Sequence, residues 1–184
     1  MSTTHWSCLS ARLRLRELRA DDAPRVLALV NEPGWLRHIG DRGVRDLADA
    51  LAYVRDGPLA MYARHGFGLW ALERREDEVW LGMCGLLKRE TLADVDLGYA
   101  LLQEHWGRGY ALEAAQACVA LARERFGLAR LVAIVDPQNA ASIRLLCRLG
   151  MRHEDTRAFA PRGETLALYG MSLIDNADAE DRRG

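Results

Sequence analysis

Val95-Asp96-Leu97-Gly98-Tyr99-Ala100-Leu101-Leu102 and, shortly after it, Trp106-Gly107-Arg108-Gly109-Tyr110-Ala111-Leu112-Glu113-Ala114 decide how this chain folds. The first run has the composition of a strand, and the second is a two-glycine turn that opens a long alanine-rich helix. Glycine tolerates dihedrals closed to other residues and lets the main chain approach a ligand closely. The first N–H groups of a helix and its dipole favour an anion at that spot, so the junction points to a phosphate-bearing ligand. A turn that merely starts a helix is the competing account.

The pattern on either side extends the reading. Leu13, Leu15 and Leu18 near-alternate in an arginine-rich stretch that predicts a first strand, and Asp21-Asp22-Ala23-Pro24 supplies the start of a helix through about Val30. Asn31 to Trp35 reads as irregular. Leu47, Ala50, Leu51 and Val54 recur at helical spacing, with a stop at Asp56-Gly57-Pro58. Gly66 to Glu73 and Val79 to Leu87 predict two strands joined by a charged turn, and Val95 to Leu102 a third. Apolar and small residues from Tyr110 to Phe126 form one helical face that stops at Gly127. Leu131 to Val135 predicts a buried strand, Asn139 to Leu149 a helix, and Met151 to Phe159 with Leu166 to Leu173 a closing antiparallel pair. The polar tail from Asp175 to Gly184 is expected to fray. The order predicts an α+β sheet with helices on both faces, in one domain over residues 1–184 with an ordered core over about 8–174.

Composition narrows the function. The 25 basic and 26 acidic residues nearly cancel, which gives no reason to expect nucleic acid or an anionic membrane as partner. Cys8, Cys84, Cys118 and Cys147 lie far apart and read as reduced, mostly buried thiols. The five histidines have no paired-ligand spacing, so no metal is expected. No leader or membrane-length apolar run is evident, and a cytoplasmic location is expected.

The two blocks above, together with Asp136-Pro137-Gln138-Asn139-Ala140-Ala141-Ser142, Leu149-Gly150-Met151, Arg12-Leu13-Arg14-Leu15-Arg16 and Gly82-Met83-Cys84-Gly85-Leu86, resemble the GNAT N-acetyltransferases. The RimJ/RimL ribosomal-protein branch is the nearest likeness. The resemblance implies the acyl-CoA N-acyltransferase fold, a mixed, mostly antiparallel sheet splayed at its centre. It also implies acetyl-CoA as co-substrate, with the pantetheine arm along Tyr99, Ala100 and Leu101. The pyrophosphate would lie on the turn formed by Gly107, Arg108, Gly109, Tyr110, Ala111 and Leu112. Arg108 is either a phosphate contact or a solvated arginine. Asn139 is either a pantetheine contact or a plain helix cap, and Arg144 and Arg148 either reach the adenosine phosphate or coat a solvent face.

Acetyl transfer to an amine needs a neutral nucleophile, an oxyanion site and a proton for the departing thiolate. By resemblance the backbone N–H groups near Tyr99 to Leu101 serve the oxyanion. Asp96 stands where relatives carry a basic glutamate, with a structural carboxylate as the alternative. The tyrosine that many relatives use as general acid is Leu146 here, so Ser142 becomes the candidate, as a relay from water. Glu113 is assigned to structure, and His38 and His105 to surface roles ahead of acid/base ones. The acceptor is expected among Trp35, His38, Tyr53 and the closing hairpin. It is an amine, at a protein N-terminus or on a small molecule, and a homodimer could complete the pocket. A non-catalytic acyl-CoA sensor is the rival reading.

Overall fold

In a computed structural model of the chain, described for residues 6–159 and 163–174, eight strands form one sheet in the order β1-β2-β3-β4-β5-β6-β8-β7. The strands are β1 (Ser7–Leu9), β2 (Leu13–Glu17), β3 (Leu69–Arg74), β4 (Trp80–Leu87), β5 (Val95–Leu101), β6 (Arg130–Val135), β7 (Arg152–Phe159) and β8 (Glu164–Ser172). Every pairing is antiparallel except β5 with β6, which run parallel and touch only at Val95–Leu131 and Asp96–Val132. Beyond that pair the two strands part, and the sheet has the expected splay. The polar tail from 175 lies outside the described residues.

Six helices cover the sheet: α1 (Ala23–Val30), α2 (Pro33–His38), α3 (Leu47–Val54), α4 (Ala60–His65), α5 (Tyr110–Glu124) and α6 (Ala140–Arg148). The alternating pleat divides the core between them. Leu97 and Leu101 of β5 join Ala114, Ala115 and Cys118 of α5 in one cluster, to which Leu146 of α6 also belongs. Ala100 faces the other way, with Met83 and Trp80 against Val26 of α1 and Val54 of α3.

Three expectations are corrected. An edge strand, β1, pairs with β2 where none was expected. Residues 33–38 form α2 in place of an irregular segment, because Pro33 takes the first helical position, where its missing N–H costs nothing, after Glu32 in an extended conformation. The helix beginning at Leu47 does not stop at Asp56-Gly57-Pro58. It passes through a π-helical turn, Arg55–Leu59, and continues as α4 to Gly66 at φ 75°. The wider turn accommodates Pro58, whose ring would crowd a regular α-helical turn. Of the cysteines, Cys84 and Cys118 are buried, Cys8 is half-buried and Cys147 is exposed.

Candidate active site

The splay opens directly onto the start of α5. Gly107 and Gly109 both lie in the left-handed region, at φ 72° and 79°, and Gly109 is the N-cap of α5. The Glu113 N–H is the first to bond back, to Gly109 O at 3.1 Å. The N–H groups of Tyr110, Ala111 and Leu112 before it have no intrahelical carbonyl to reach and are available to an anion. Glu113 braces this turn, as expected. Its carboxylate accepts from Ser10 Oγ, Arg12 N and Arg12 Nε, each at 2.7 Å. Burial opposes its charge, but those donors win and hold the carboxyl below its ordinary value. Arg12 also donates to Arg108 O at 3.0 Å and stacks over the Tyr110 ring, a buttress that the sequence reading missed.

The residues expected at the coenzyme come together, with one exception. Tyr99, Ala100, Leu101, Gly107, Gly109, Tyr110, Ala111, Leu112, Asn139 and Ser142 line a single cleft of about 930 Å³. Asp96, Trp35, His38 and Tyr53 line it too, as do Arg144 and Arg148. Arg108 is exposed and lies outside the lining, so the turn presents main chain to the cleft.

Asp96 sits at the apex of the splay, 1% exposed, with both oxygens engaged. Oδ2 receives Arg89 Nε at 2.5 Å, and Oδ1 receives the Ile134 N–H at 3.3 Å, just past the last β5–β6 pair. The carboxylate therefore bridges the diverging strands. Burial pushes its carboxyl up, and Arg89 draws it back. Arg89 was not anticipated, since no local pattern ties the turn after β4 to Asp96.

On the α6 side, Asn139 Oδ1 caps the helix by accepting the Ser142 N–H at 3.0 Å, which leaves its amide nitrogen to donate to a ligand. The Ser142 hydroxyl is 2.6 Å from the Tyr99 hydroxyl. Burial pushes the Tyr99 phenol up, and the Ser142 hydrogen bond opposes it, which keeps the phenol a proton donor near neutral pH. Leu146, which stands where the resemblance implied a tyrosine, is buried at 1% exposure. Tyr99 brings a phenol to the same region from β5.

Of the two histidines expected in surface roles, His105 is corrected, and His38, also expected at the acceptor, lines the cleft. His105 is buried at 7% exposure, and among the described residues neither ring nitrogen has a hydrogen-bond partner. It is the third residue of a short 3-10 turn, Gln103–His105, within the β5–α5 connection. His38 is half-buried and its Nδ1 lies 2.6 Å from Asp136 Oδ2. Trp35 is buried with its indole N–H on Gly40 O, and burial raises the Tyr53 phenol while Arg42 and Arg89 oppose that shift. Among the described residues no three His, Cys, Asp or Glu side chains gather as a metal-binding group, and no helix is long and apolar enough to cross a membrane.

The family description "Acetyltransferase (GNAT) domain" matches residues 12–152. The uncharacterized protein YkkB of Bacillus subtilis (strain 168) is 30% identical over 148 residues, 79% of this chain and 84% of its own. The crystal structure of the acetyltransferase from Agrobacterium tumefaciens str. C58 matches with a TM-score of 0.76 at 27% identity, covering 93% of this chain and 96% of that one. RimL, a ribosomal L7/L12 alpha-N-protein acetyltransferase solved in complex with coenzyme A, matches in fold with a TM-score of 0.76 at 18% identity, over 90% of this chain and 96% of that one.

Proposed function

The chain belongs to the GNAT acetyltransferase family, and from that membership we propose that it moves the acetyl group of acetyl-CoA onto the primary amine at the N-terminus of a peptide or protein. The observation that carries this reading is the single cleft shared by the α5 N-terminal turn, the β5–β6 splay and the ionisable residues under α2. Acetyl-CoA, the co-substrate, supplies an activated acyl group. The turn from Gly107 to Leu112 would hold its pyrophosphate through main-chain N–H groups, and Arg144 and Arg148, which line the cleft, would meet its outer phosphate. The pantetheine arm would run along Tyr99, Ala100 and Leu101, beside Asn139. Backbone N–H groups at that edge would stabilise negative charge on the carbonyl oxygen during attack.

Ser142, hydrogen-bonded to Tyr99, is the proposed relay that returns a proton to the departing sulfur. Asp96 fits a positioning role at the apex, because its carboxylate is 1% exposed and paired with Arg89. A peptide acceptor is the choice carried over from the family resemblance; the cleft offers it Trp35 and Tyr53 on one side and Phe159 and Glu164 of the closing hairpin on the other. The alpha-N-protein activity named for RimL agrees with that choice. The absence of a tyrosine at Leu146 keeps a coenzyme sensor as the second reading.

Calorimetry with acetyl-CoA, then thiol release with hexapeptides beginning with serine, alanine or methionine and with spermidine, tests the proposal. Turnover on peptides above spermidine supports it. Binding without turnover on any acceptor favours the sensor, and turnover on spermidine alone moves the acceptor to small amines.

A further inference from the structure

The short helix α2 crosses the open end of the splay from one lip to the other. At its start Glu32 Oε2 accepts the Gln103 N–H at 2.9 Å, which ties the helix to the segment following β5. Gly34 lies against Trp106 so closely that a Cβ there would stand 2.5 Å from the indole Cη2, so only glycine permits this approach. At its end His38 Nδ1 meets Asp136 Oδ2 at 2.6 Å, which ties the helix to the residue following β6. Ala100 and Asp136 each lie four residues beyond the last parallel pair, Asp96–Val132, so Asp136 stands across the gap from the strand edge assigned to the thioester. His38 is thereby delivered to the level where the carbonyl would lie, and its side chain, 19% exposed, lines the same cleft.

The chemistry of the pair is specific. A carboxylate only accepts hydrogen bonds, so His38 must carry its proton on Nδ1, which leaves Nε2 as the lone-pair nitrogen of the neutral ring. Burial opposes the charge on Asp136, but hydrogen bonds from His38 and the Gln138 N–H hold the carboxyl below its ordinary value. A firmly ionised partner is what an imidazole that must take up a proton requires. Asp96 is a poorer candidate, because it is 1% exposed and paired with Arg89, and Glu32 accepts from Gln103.

We propose that His38 is the catalytic base that deprotonates the acceptor ammonium, with Asp136 as its positioning residue. The inference rests on the acetyltransferase reading above. His38 Nε2 takes one proton from the ammonium, and the neutral amine nitrogen attacks the thioester carbonyl carbon to form the C–N bond. The C–S bond then breaks, with the electron pair leaving on sulfur. The second nitrogen proton passes to that sulfur through Ser142 or water, and His38 returns its proton to solvent. The net products are the acetylated amine, free coenzyme A thiol and one proton.

Other charged groups meet at this point. Arg37 on α2 also acts on Asp136, His105 sits on the turn that α2 packs against, and Arg42 and the Arg89–Asp96 pair line the cleft. His105 is the one other imidazole among them, so His105→Phe is the control for assigning a pH limb.

The test measures thiol release from acetyl-CoA with the hexapeptides and spermidine above, across pH, beside acetyl-CoA affinity by calorimetry. In the wild type kcat/KM should climb with pH as a single basic group loses its proton. His38→Gln can keep a hydrogen bond to Asp136 but cannot take up a proton. It should lower kcat/KM by about 100-fold or more and abolish that limb, with acetyl-CoA affinity within about twofold of wild type, while His38→Ala should regain rate when free imidazole is added. Asp136→Asn should move the limb to lower pH, because the imidazolium loses its counter-charge, and His105→Phe should leave the limb in place. A His38→Gln protein with near wild-type rate and an intact limb overturns the assignment while the transferase reading stands. A wild type that binds acetyl-CoA yet acetylates none of these acceptors overturns both.

Discussion

Gly109→Glu is the most direct challenge to the phosphate turn. Two effects separate cleanly there. The first is strain: Gly109 sits at φ 79°, and a side chain in that region costs about 1–2 kcal/mol. A new Cβ would meet the Arg12 guanidinium at 3.4 Å, the movable end of a side chain, so no clash adds to this cost. An acid at a helix start recovers about 0.3–1 kcal/mol, and at about 2–4 °C per kcal/mol for a chain of this size Tm should fall by only a few degrees. The second effect is charge. A carboxylate about 5 Å from a diphosphate bearing about two charges is repelled by about 2 kcal/mol at the dielectric of water and about 7 kcal/mol at an effective value of about 20. Arg12 beside it neutralises part of the new charge, so we expect about 2–4 kcal/mol, a rise in Kd of about 30- to 1,000-fold. Gly109→Ala carries the strain without the charge and is the control. Calorimetry with acetyl-CoA and thermal melts of both variants read the two effects independently. If Glu and Ala variants bind acetyl-CoA equally well, at wild-type strength, the diphosphate does not lie on this turn.

Three further outcomes follow from specific contacts. Tyr99→Phe removes the hydroxyl 2.6 Å from Ser142 Oγ and should lower kcat by about tenfold in steady-state assays while acetyl-CoA affinity stays within about twofold; an unchanged kcat removes Tyr99 from the proton path. Arg89→Leu strands the buried Asp96 carboxylate and should destabilise by about 3 kcal/mol in urea melts near pH 8. Burial already raises the Asp96 carboxyl in the folded state, so this deficit should shrink as pH falls and the folded chain takes up the proton first; a deficit independent of pH would contradict the pairing. Asp22, 1% exposed, faces the opposite sign: burial disfavours its charge, but Arg16 at 2.8 Å prevails and depresses the carboxyl. Its contribution is present above the ordinary carboxylate value of about 3.9 and is lost as pH falls through the depressed folded value, so Asp22→Asn should flatten the acid limb of stability between about pH 6 and pH 2.

What was legible in the sequence was what the backbone does. The glycines at 107 and 109, the small-residue face of α5 and the strand runs all follow from local dihedral preference and periodicity, while the splay between β5 and β6 was an implication of the family resemblance. What stayed hidden depended on side chains meeting across the fold. Arg89 reaches Asp96 only because β4 and β5 pair in register, and Asp136 meets His38 only because α2 spans the gap. His105 reads as a polar residue in a charged turn, and nothing in its neighbours signals that the 3-10 turn buries it. Pro33 and Pro58 misled in opposite ways. The first starts a helix and the second is absorbed by one, since a proline's cost depends on which carbonyl lies one turn behind it.

The pleat of β5 explains why one half of the site was readable and the other was not. Odd-numbered residues such as Tyr99 face α5 and α6, and even-numbered ones such as Asp96 and Ala100 face the α1–α3 side, so one strand serves two compartments. The proposed coenzyme compartment centres on main-chain N–H groups at a helix start that follows two glycines at positive φ. The proposed acceptor compartment draws on side chains of α2, α3 and the closing hairpin, whose strands β7 and β8 belong to the sheet. On the proposed reading the first compartment holds the coenzyme and the second selects the acceptor. It also follows that a base need not come from the sheet: a helix laid across the splay can bring one, and replacing α2 residues should alter acceptor turnover while leaving the coenzyme bound.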